Sequence, residues 1–221
     1  MMAGMNGFSH SCNENGVEIQ PYKNTLRNSF FTYEQAEVIW DFYVSHSLAE
    51  TSGQLISLEK YGWDLSNREK TFSILENELM VTAGIDKLCC IRSNRIVDTL
   101  SACNLDNSRI CIEHPRIVIQ QKYSVTVDEN EKMNFAGGGE NRVICLFRHI
   151  RNSFAHANTY FFENGNMLLE DKEGSKRTGM ILIRQQTLLD WIGVIDKKQK
   201  FYILHNECSK CTVKGKIIHQ N

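Results

Sequence analysis

The sequence predicts a mainly α-helical bundle with a small β-hairpin inserted before its last helix. Three observations support this fold class. Capping boxes mark the starts of several helices, an apolar stripe runs through a helix near residue 147, and Asn164-Gly165 separates two apolar runs. The chain has 221 residues, of which 42% are hydrophobic, so it is long enough to form one domain with its own core.

The overall charge does not favour any class of partner. The formal net charge is −1, so the whole molecule has no electrostatic bias towards nucleic acid, although a local basic cleft is compatible with this value. No apolar run approaches the roughly 20 residues of a membrane helix, and residues 1–16 lack the apolar centre of a signal peptide. We therefore expect a cytoplasmic protein that does not associate with membranes.

Composition divides the chain into three parts. Residues 1–30 are expected to be a flexible N-terminal arm, residues 31–200 a helical domain, and residues 201–221 a C-terminal tail. Within the domain, an irregular insertion is expected at residues 104–139 and a hairpin at residues 159–184.

Side-chain oxygens mark the expected helix starts. A polar residue followed three positions later by Gln, Glu or Asp is typical of a helix N-terminus, because the two side chains satisfy unpaired backbone N–H groups. The boxes are Thr32 with Gln35, Ser66 with Glu69, and Thr187 with Asp190. Apolar stripes at helical spacing follow the first two boxes, which indicates that one face of each helix is buried.

The middle of the chain combines two short segments of strand composition with a polar, glycine-rich stretch. Residues 117–119 and 124–127 have strand composition, whereas residues 128–139 are polar and glycine-rich. We interpret this region as an irregular insertion that could include short strands. Further on, Asn164-Gly165 predicts a hairpin because both residues tolerate positive φ, and residues 180–183 read as another strand.

The segment from Leu146 to His156 contains the candidate chemistry. An apolar stripe of Val143, Phe147, Ile150 and Phe154 predicts one buried helix face. On the opposite face, Arg148, Asn152 and His156 follow one another at intervals of four residues, with Arg151 at the margin. Arginine can donate two hydrogen bonds to a phosphate, and histidine exchanges protons near neutral pH. This combination suits phosphodiester chemistry.

The same residues carry a family resemblance. Arg151-Asn152 followed by His156, at the end of an amphipathic helix, resembles the Arg-x(4–6)-His signature of HEPN domains. The longer string, with its hairpin and Leu-Leu-x-Trp helix, is similar to a stand-alone branch found among plasmid and bacterial proteins. This similarity covers residues 140–196, whereas residues 32–100 resemble the family only in architecture.

The resemblance implies a HEPN-type helical bundle and a metal-independent endoribonuclease that uses no cofactor. In such enzymes the ribose 2′-OH attacks the adjacent phosphorus, leaving a 2′,3′-cyclic phosphate. The catalytic residues would be Arg151, which binds the phosphate, Asn152, which positions the scissile group or supports the histidine, and His156, which transfers the proton. Arg148 would be a second phosphate contact. The family also implies a toxin or phage-defence role, with an antitoxin or defence partner.

The spacing of the motif also bears on assembly. Arg151 and His156 are five positions apart, which places them roughly 140° apart around an ideal helix. One protomer therefore cannot readily direct both side chains to one phosphate. HEPN proteins commonly pair the motif helices of two subunits, so a homodimer with a composite cleft is expected.

Several alternatives remain open. Arg109 with His114, and Arg142 with His149, satisfy the same spacing, but neither arginine is followed by a polar residue. The motif could also be a solvated helix end, with His156 near the terminal carbonyls. A non-catalytic HEPN module that binds RNA or nucleotide, or that mediates dimerisation, is the main alternative function.

The C-terminal tail contains four residues of the types that bind zinc. His205, Cys208, Cys211 and His219 could hold a zinc ion, although their irregular spacing fits a reduced tail with incidental thiols better. The glycines at 137–139 could cradle a phosphate before a helix, but a flexible joint explains them more simply.

Overall fold

The structure is a computed structural model that describes residues 17–18, 29–48, 58–92, 95–103, 105, 109–122, 125–127, 133–135 and 140–199. These residues form an α/β fold around a mixed five-stranded sheet. The prediction of a mainly α, HEPN-type helical bundle with a small hairpin insertion is therefore wrong.

The strands of the described residues are β1 (Val17–Glu18), β2 (Cys89–Ile91), β3 (Arg109–Ile110), β4 (Arg116–Gln120), β5 (Val125–Val127), β6 (Met133–Phe135), β7 (Thr159–Phe161), β8 (Asn166–Glu173) and β9 (Lys176–Arg184). The main sheet has the order β2-β4-β9-β8-β7. Only β2 and β4 pair in parallel in this sheet, and its other pairs are antiparallel. Two small antiparallel pairs, β1 with β3 and β5 with β6, lie outside it.

The α-helices of the described residues are α1 (Tyr33–Trp40), α2 (Arg68–Ala83), α3 (Ile96–Ala102), α4 (Arg142–Ala155) and α5 (Gln185–Ile195). A π-helical turn (Asp41–Ser45) continues α1, and a 3₁₀ turn (Leu58–Tyr61) precedes α2. None of the helices in these ranges has the length and hydropathy that a membrane span requires.

Helices cover both faces of the sheet, which explains why the predicted fold class was wrong. On one face, Ile117, Leu169 and Ile181 join the core that includes residues of α1, α2, α4 and α5. On the other face, Val118 and Leu182 join a second core with residues of α3. Strands buried on both sides have continuous apolar runs without alternation, and such short runs do not reveal which strand they pair with. Strands β4, β9 and β8 are thus the central strands of the sheet, and the hairpin is not a small insertion into a bundle.

The capping predictions have mixed outcomes. The Thr32–Gln35 box is confirmed: the N–H of Gln35 donates to Oγ1 of Thr32 over 3.2 Å, and the N–H of Thr32 donates to Oε1 of Gln35 over 2.9 Å. The Ser66 box is wrong, because the hydroxyl of Ser66 donates to Asp64 and Asn67 caps α2 instead. The Thr187 box is also wrong, since α5 already begins at Gln185.

The predicted hairpin is confirmed. Strands β7 and β8 pair in antiparallel fashion, and Gly165 in the connecting turn has φ +81°. A positive φ is readily adopted by glycine, which explains the residue at this position. The predicted strand at 180–183 is confirmed as part of β9. The glycines at 137–139, the tail from 201 to 221 and most of the arm at 1–30 lie outside the described residues.

Candidate active site

The motif helix α4 is anchored at its start and along its buried face. Asn141 caps the helix, with Oδ1 accepting the N–H of Val143 over 2.9 Å. Val143, Phe147 and Ile150 are buried in the larger core, as the apolar stripe predicted. The ring of Phe147 stacks on Tyr43 with a centroid separation of 5.5 Å and an interplanar angle of 14°. The motif is therefore built on a rigidly held helix.

The helix ends at the candidate catalytic histidine. His156 is the C-cap residue, and Ala157 follows it with φ +54°. The N–H of Ala157 donates to the carbonyl of Phe154, and the N–H of Asn158 donates to that of Ser153. This is the hydrogen-bond pattern of a Schellman motif, which fixes the backbone beyond the last turn. The imidazole of His156 thus projects from a defined and exposed helix end.

Arg151 and Asn152 are half-buried beside it. Nη1 of Arg151 donates to Oδ1 of Asn152 over 3.4 Å, and Nε of Arg151 is buried with no hydrogen-bond partner in the part of the chain that the structure describes. Nδ2 of Asn152 donates to Oδ2 of Asp171 over 3.1 Å. Within the described ranges, no hydrogen bond or ion pair links Arg151 to His156, and neither residue forms an ion pair with a carboxylate. The side chains of Arg151 and Asn152 are thus in contact, whereas His156 bonds to Asn152 through the backbone, its N–H donating to the carbonyl of Asn152 over 3.0 Å.

Arg148 is placed differently from the prediction of an exposed phosphate contact. Its Nε and Nη2 donate to the two carboxylate oxygens of Glu140 over 2.7 and 2.8 Å. Nη2 also donates to the carbonyl of Gln120 over 2.9 Å, and the side chain is only 14% exposed. The bidentate pair and the bond to Gln120 together use three of the five N–H donors of the guanidinium. Arg148 thus links α4 to the segment before it and to the end of β4.

A buried pair beside the motif was missed. His149 is fully buried, with Nδ1 lying 2.6 Å from Oδ2 of Asp171 and Nε2 lying 2.8 Å from the carbonyl oxygen of Gln120. Nη2 of Arg148 also lies 3.3 Å from Nε2, so Asp171, Gln120 and Arg148 together hold the ring. Sequence spacing could not show this contact, because Asp171 lies 22 positions away in the sheet. The sequence feature that could have indicated a buried carboxylate is the polar pair Glu170-Asp171, which directly follows an apolar strand run.

The other residues that matched the spacing have separate surroundings. Arg142 forms an ion pair with Glu76 over 2.9 Å and donates to the carbonyl of Leu88. His114 is exposed in the segment before β4. The side chain of Arg109 lies outside the described part of the structure, as do the zinc candidates His205, Cys208, Cys211 and His219.

A cleft opens next to Asn152. Its volume is about 470 Å³, within the range of small-molecule sites. The end of β4, the polar face of α4 and the outer ends of β8 and β9 form its walls. The lining residues are Gln120, Gln121, Lys122, Arg148, Asn152, Asp171, Lys172, Glu173 and Thr178. The cleft therefore shares Asn152 with the motif and adds Lys122 and Lys172 at its walls.

The Glu140–Arg148 pair makes a testable contribution to stability. Burial opposes ionisation of Glu140, but the hydrogen bonds and charge of Arg148 outweigh it, so the pKa of Glu140 is lowered. A carboxyl whose pKa is lower in the folded state stabilises the fold above its unfolded pKa of about 4.3, and this contribution disappears as the pH falls through the folded pKa.

We expect the wild type to lose more unfolding free energy than the Glu140→Gln variant when the pH falls from about 7 to about 3. Urea unfolding followed by circular dichroism at several pH values measures this difference. The Glu163→Gln variant, altered at an exposed position of the hairpin loop, serves as the matched control and should follow the wild type. Equal losses in the wild type and in Glu140→Gln would contradict the stabilising role of the pair.

Comparison with known proteins does not assign the chain to a family. No family model matches it, and no curated protein or solved structure is significantly similar to it.

Proposed function

We propose that this chain is a metal-independent endoribonuclease of the HEPN type, with its active centre at the C-terminal end of α4. One observation supports the proposal above the others. An exposed imidazole, His156, and a guanidinium that has no carboxylate partner among the described residues, Arg151, lie at the end of a helix fixed by its core contacts and by its C-cap. The proposal rests on this local site and not on the architecture, since a helical bundle was wrongly predicted.

Each residue has a distinct role in the proposed reaction. His156 removes the proton from the ribose 2′-OH, and the 2′-oxygen then forms a bond to the adjacent phosphorus. The bond from phosphorus to the 5′-oxygen breaks, and the same proton passes to that leaving oxygen. Arg151 holds the phosphate and stabilises the negative charge that builds on it. Asn152 sets the position of the guanidinium through its 3.4 Å contact. The products are a 2′,3′-cyclic phosphate and a 5′-hydroxyl.

The centre is proposed to be composite. Because Arg151 and His156 point in directions roughly 140° apart on an ideal helix, one protomer does not focus both on a single phosphate. Two copies related by a two-fold axis can place Arg151 of one protomer opposite His156 of the other. The cleft beside Asn152 then accommodates a flanking nucleotide, with Lys122 and Lys172 near its phosphates.

The test of the enzyme is cleavage of mixed transfer and messenger RNA by the purified chain in EDTA. The wild type should produce cyclic-phosphate ends, whereas the Arg151→Ala variant should be slower by about 10²- to 10³-fold, the usual loss when a transition-state donor is removed. Arg184→Ala, at an exposed arginine away from the motif, is the matched control and should retain full activity.

The outcomes separate the alternatives. Full activity in Arg151→Ala would place the cleavage elsewhere. Binding of RNA without cleavage would favour the non-catalytic module. If the chain neither binds nor cleaves RNA, the proposal is contradicted.

A toxin or phage-defence role with a neutralising partner is the proposed setting, and it is tested by whether expression of the chain halts growth of a bacterial host.

The composite centre predicts complementation between inactive variants. Mixing Arg151→Ala with His156→Ala under conditions of subunit exchange should restore cleavage, because a mixed dimer contains one centre with both intact residues. Cleavage rate against mixing ratio measures this effect. No recovery despite exchange, verified by mass spectrometry of differently labelled subunits, would show that each centre lies within one protomer.

A further inference from the structure

We infer that Asp171 is a positioning residue for the motif, which turns the Asn152 amide so that its oxygen faces Arg151. This inference rests on the proposed function and extends it to a residue outside the Arg-x(4–6)-His signature. Asp171 lies in β8, in a different part of the sequence from α4, and the two elements pack against each other.

The hydrogen-bond types determine the amide orientation. A side-chain amide has nearly the same shape whichever way its oxygen and nitrogen point, so neighbouring groups decide between the two orientations. A carboxylate only accepts, and therefore the Nδ2 group of Asn152 faces Oδ2 of Asp171, 3.1 Å away. A guanidinium only donates, and Oδ1 of Asn152 accordingly accepts from Nη1 of Arg151 over 3.4 Å. With the amide reversed, both contacts would become repulsive.

Asp171 is itself held in place. Its side chain is 4% exposed, and the same oxygen that accepts from Asn152 lies 2.6 Å from Nδ1 of His149. Nη1 of Arg148 lies 3.9 Å from this oxygen, and the carbonyl of Gln120 fixes the far side of the His149 ring. The contact chain therefore runs from the end of β4 through His149 and Asp171 to the motif.

The sheet directs Asp171 towards this position. Strand β8 has a register shift between Asp171 and Lys172 in its pairing with β9. Such irregularities re-aim side chains and are frequent beside active sites. Glu170 and Asp171 are both buried although they are adjacent in a strand, so the two carboxylates lie in separate buried surroundings. Glu170 pairs with Arg177 and Lys172, which leaves Asp171 for His149 and Asn152.

The expected consequence is kinetic. When Arg151 is no longer oriented by the Asn152 oxygen, it binds phosphate in several geometries, of which few match the charge that develops in the transition state. Such a defect lowers kcat more than it raises KM.

The decisive variant is Asp171→Asn, which keeps the shape of the side chain but removes the charge. The new amide group can donate to Oδ1 of Asn152, so the Asn152 amide is free to reverse and turn its oxygen away from Arg151. We expect kcat to fall about 10- to 100-fold, with KM changed by less than about 3-fold. The exposed change Glu163→Gln serves as the control and should leave both constants unaltered.

If Asp171 acts through Asn152, adding Asp171→Asn to an Asn152→Ala background should have little further effect on kcat. Additive losses, or an unchanged kcat in Asp171→Asn, would overturn the positioning role.

Two further measurements keep the test decisive. If Asp171→Asn does not fold, Asn152→Ala alone breaks the contact without touching the buried pair, and its kcat must show the same loss for the role to stand. Nuclear magnetic resonance of the Asn152 amide, assigned with Asn152→Ala, reports on the contact without RNA. We expect slowed hydrogen exchange in the wild type that is lost in Asp171→Asn. A wild type that cleaves no RNA while showing this pattern contradicts the proposed function, whereas an unaltered amide signal in the variant contradicts the positioning role.

Discussion

The His156→Ala variant is expected to cleave RNA about 10²- to 10⁴-fold more slowly than the wild type, the usual contribution of a general acid–base group. The side chain is exposed at the C-cap of α4, and no hydrogen bond or ion pair in the described residues engages its imidazole. Its removal should therefore leave the fold unchanged while removing the proton-transfer group. Single-turnover cleavage at saturating enzyme measures the chemical step, and thermal unfolding checks the fold.

The matched control for this prediction is His114→Ala. His114 is also exposed and belongs to the other Arg-x4-His spacing in the chain, so it tests whether spacing alone identifies the site. We expect His114→Ala to retain wild-type activity. The assignment of His156 fails if both variants are equally active, or if only His114→Ala loses cleavage.

The Phe147→Ala variant is expected to lower the free energy of unfolding by about 3 to 5 kcal/mol, the usual cost of emptying a phenylalanine site in a core. Phe147 is fully buried between Tyr43, at 5.5 Å, and Trp191, at 6.5 Å between ring centroids. Both neighbours are fixed by hydrogen bonds to backbone carbonyls, from the Tyr43 hydroxyl to Leu188 and from the Trp191 indole to Leu79. The surroundings are therefore poorly able to collapse into the cavity.

Urea unfolding gives this difference directly. Val81→Ala, at a position 71% exposed on α2, is the control and should change stability by less than about 0.5 kcal/mol. A loss below about 1 kcal/mol in Phe147→Ala would show that α4 is not anchored by this ring.

Local patterns predicted individual elements better than their assembly. The Thr32–Gln35 box and the Asn164-Gly165 turn were correctly predicted because each depends on residues a few positions apart. The Ser66 box failed for a local reason too, since Asp64 competes for the hydroxyl. The sheet could not be predicted in this way, because the pairing of β4 with β9 joins Val118 to Met180, far along the chain.

The candidate site was likewise predicted only where the pattern is local to one helix. The stripe that includes Phe147 correctly placed one face of α4 in the core, and a polar cluster at its end was expected from the positions of Arg151 and His156. The opposite face was expected to present Arg148 to a phosphate, but the side chain of Arg148 is only 14% exposed and His149 is fully buried. A helical wheel ranks faces by their own composition, whereas burial of this face is caused by the sheet packed against it.

The close approach of α4 to β9 limits which sequences can share this site. A Cβ atom built on Gly179 would lie 2.7 Å from Nδ1 of His149, closer than real Cβ contacts occur, and the ring cannot retreat because Asp171 and Gln120 hold both of its nitrogens. A side chain at position 179 is therefore compatible only with a smaller residue at position 149. In divergent descendants of this chain, a side chain at 179 should accompany loss of the histidine at 149. The residues at these two positions can therefore distinguish lineages that retain the buried support of the motif from lineages that have lost it.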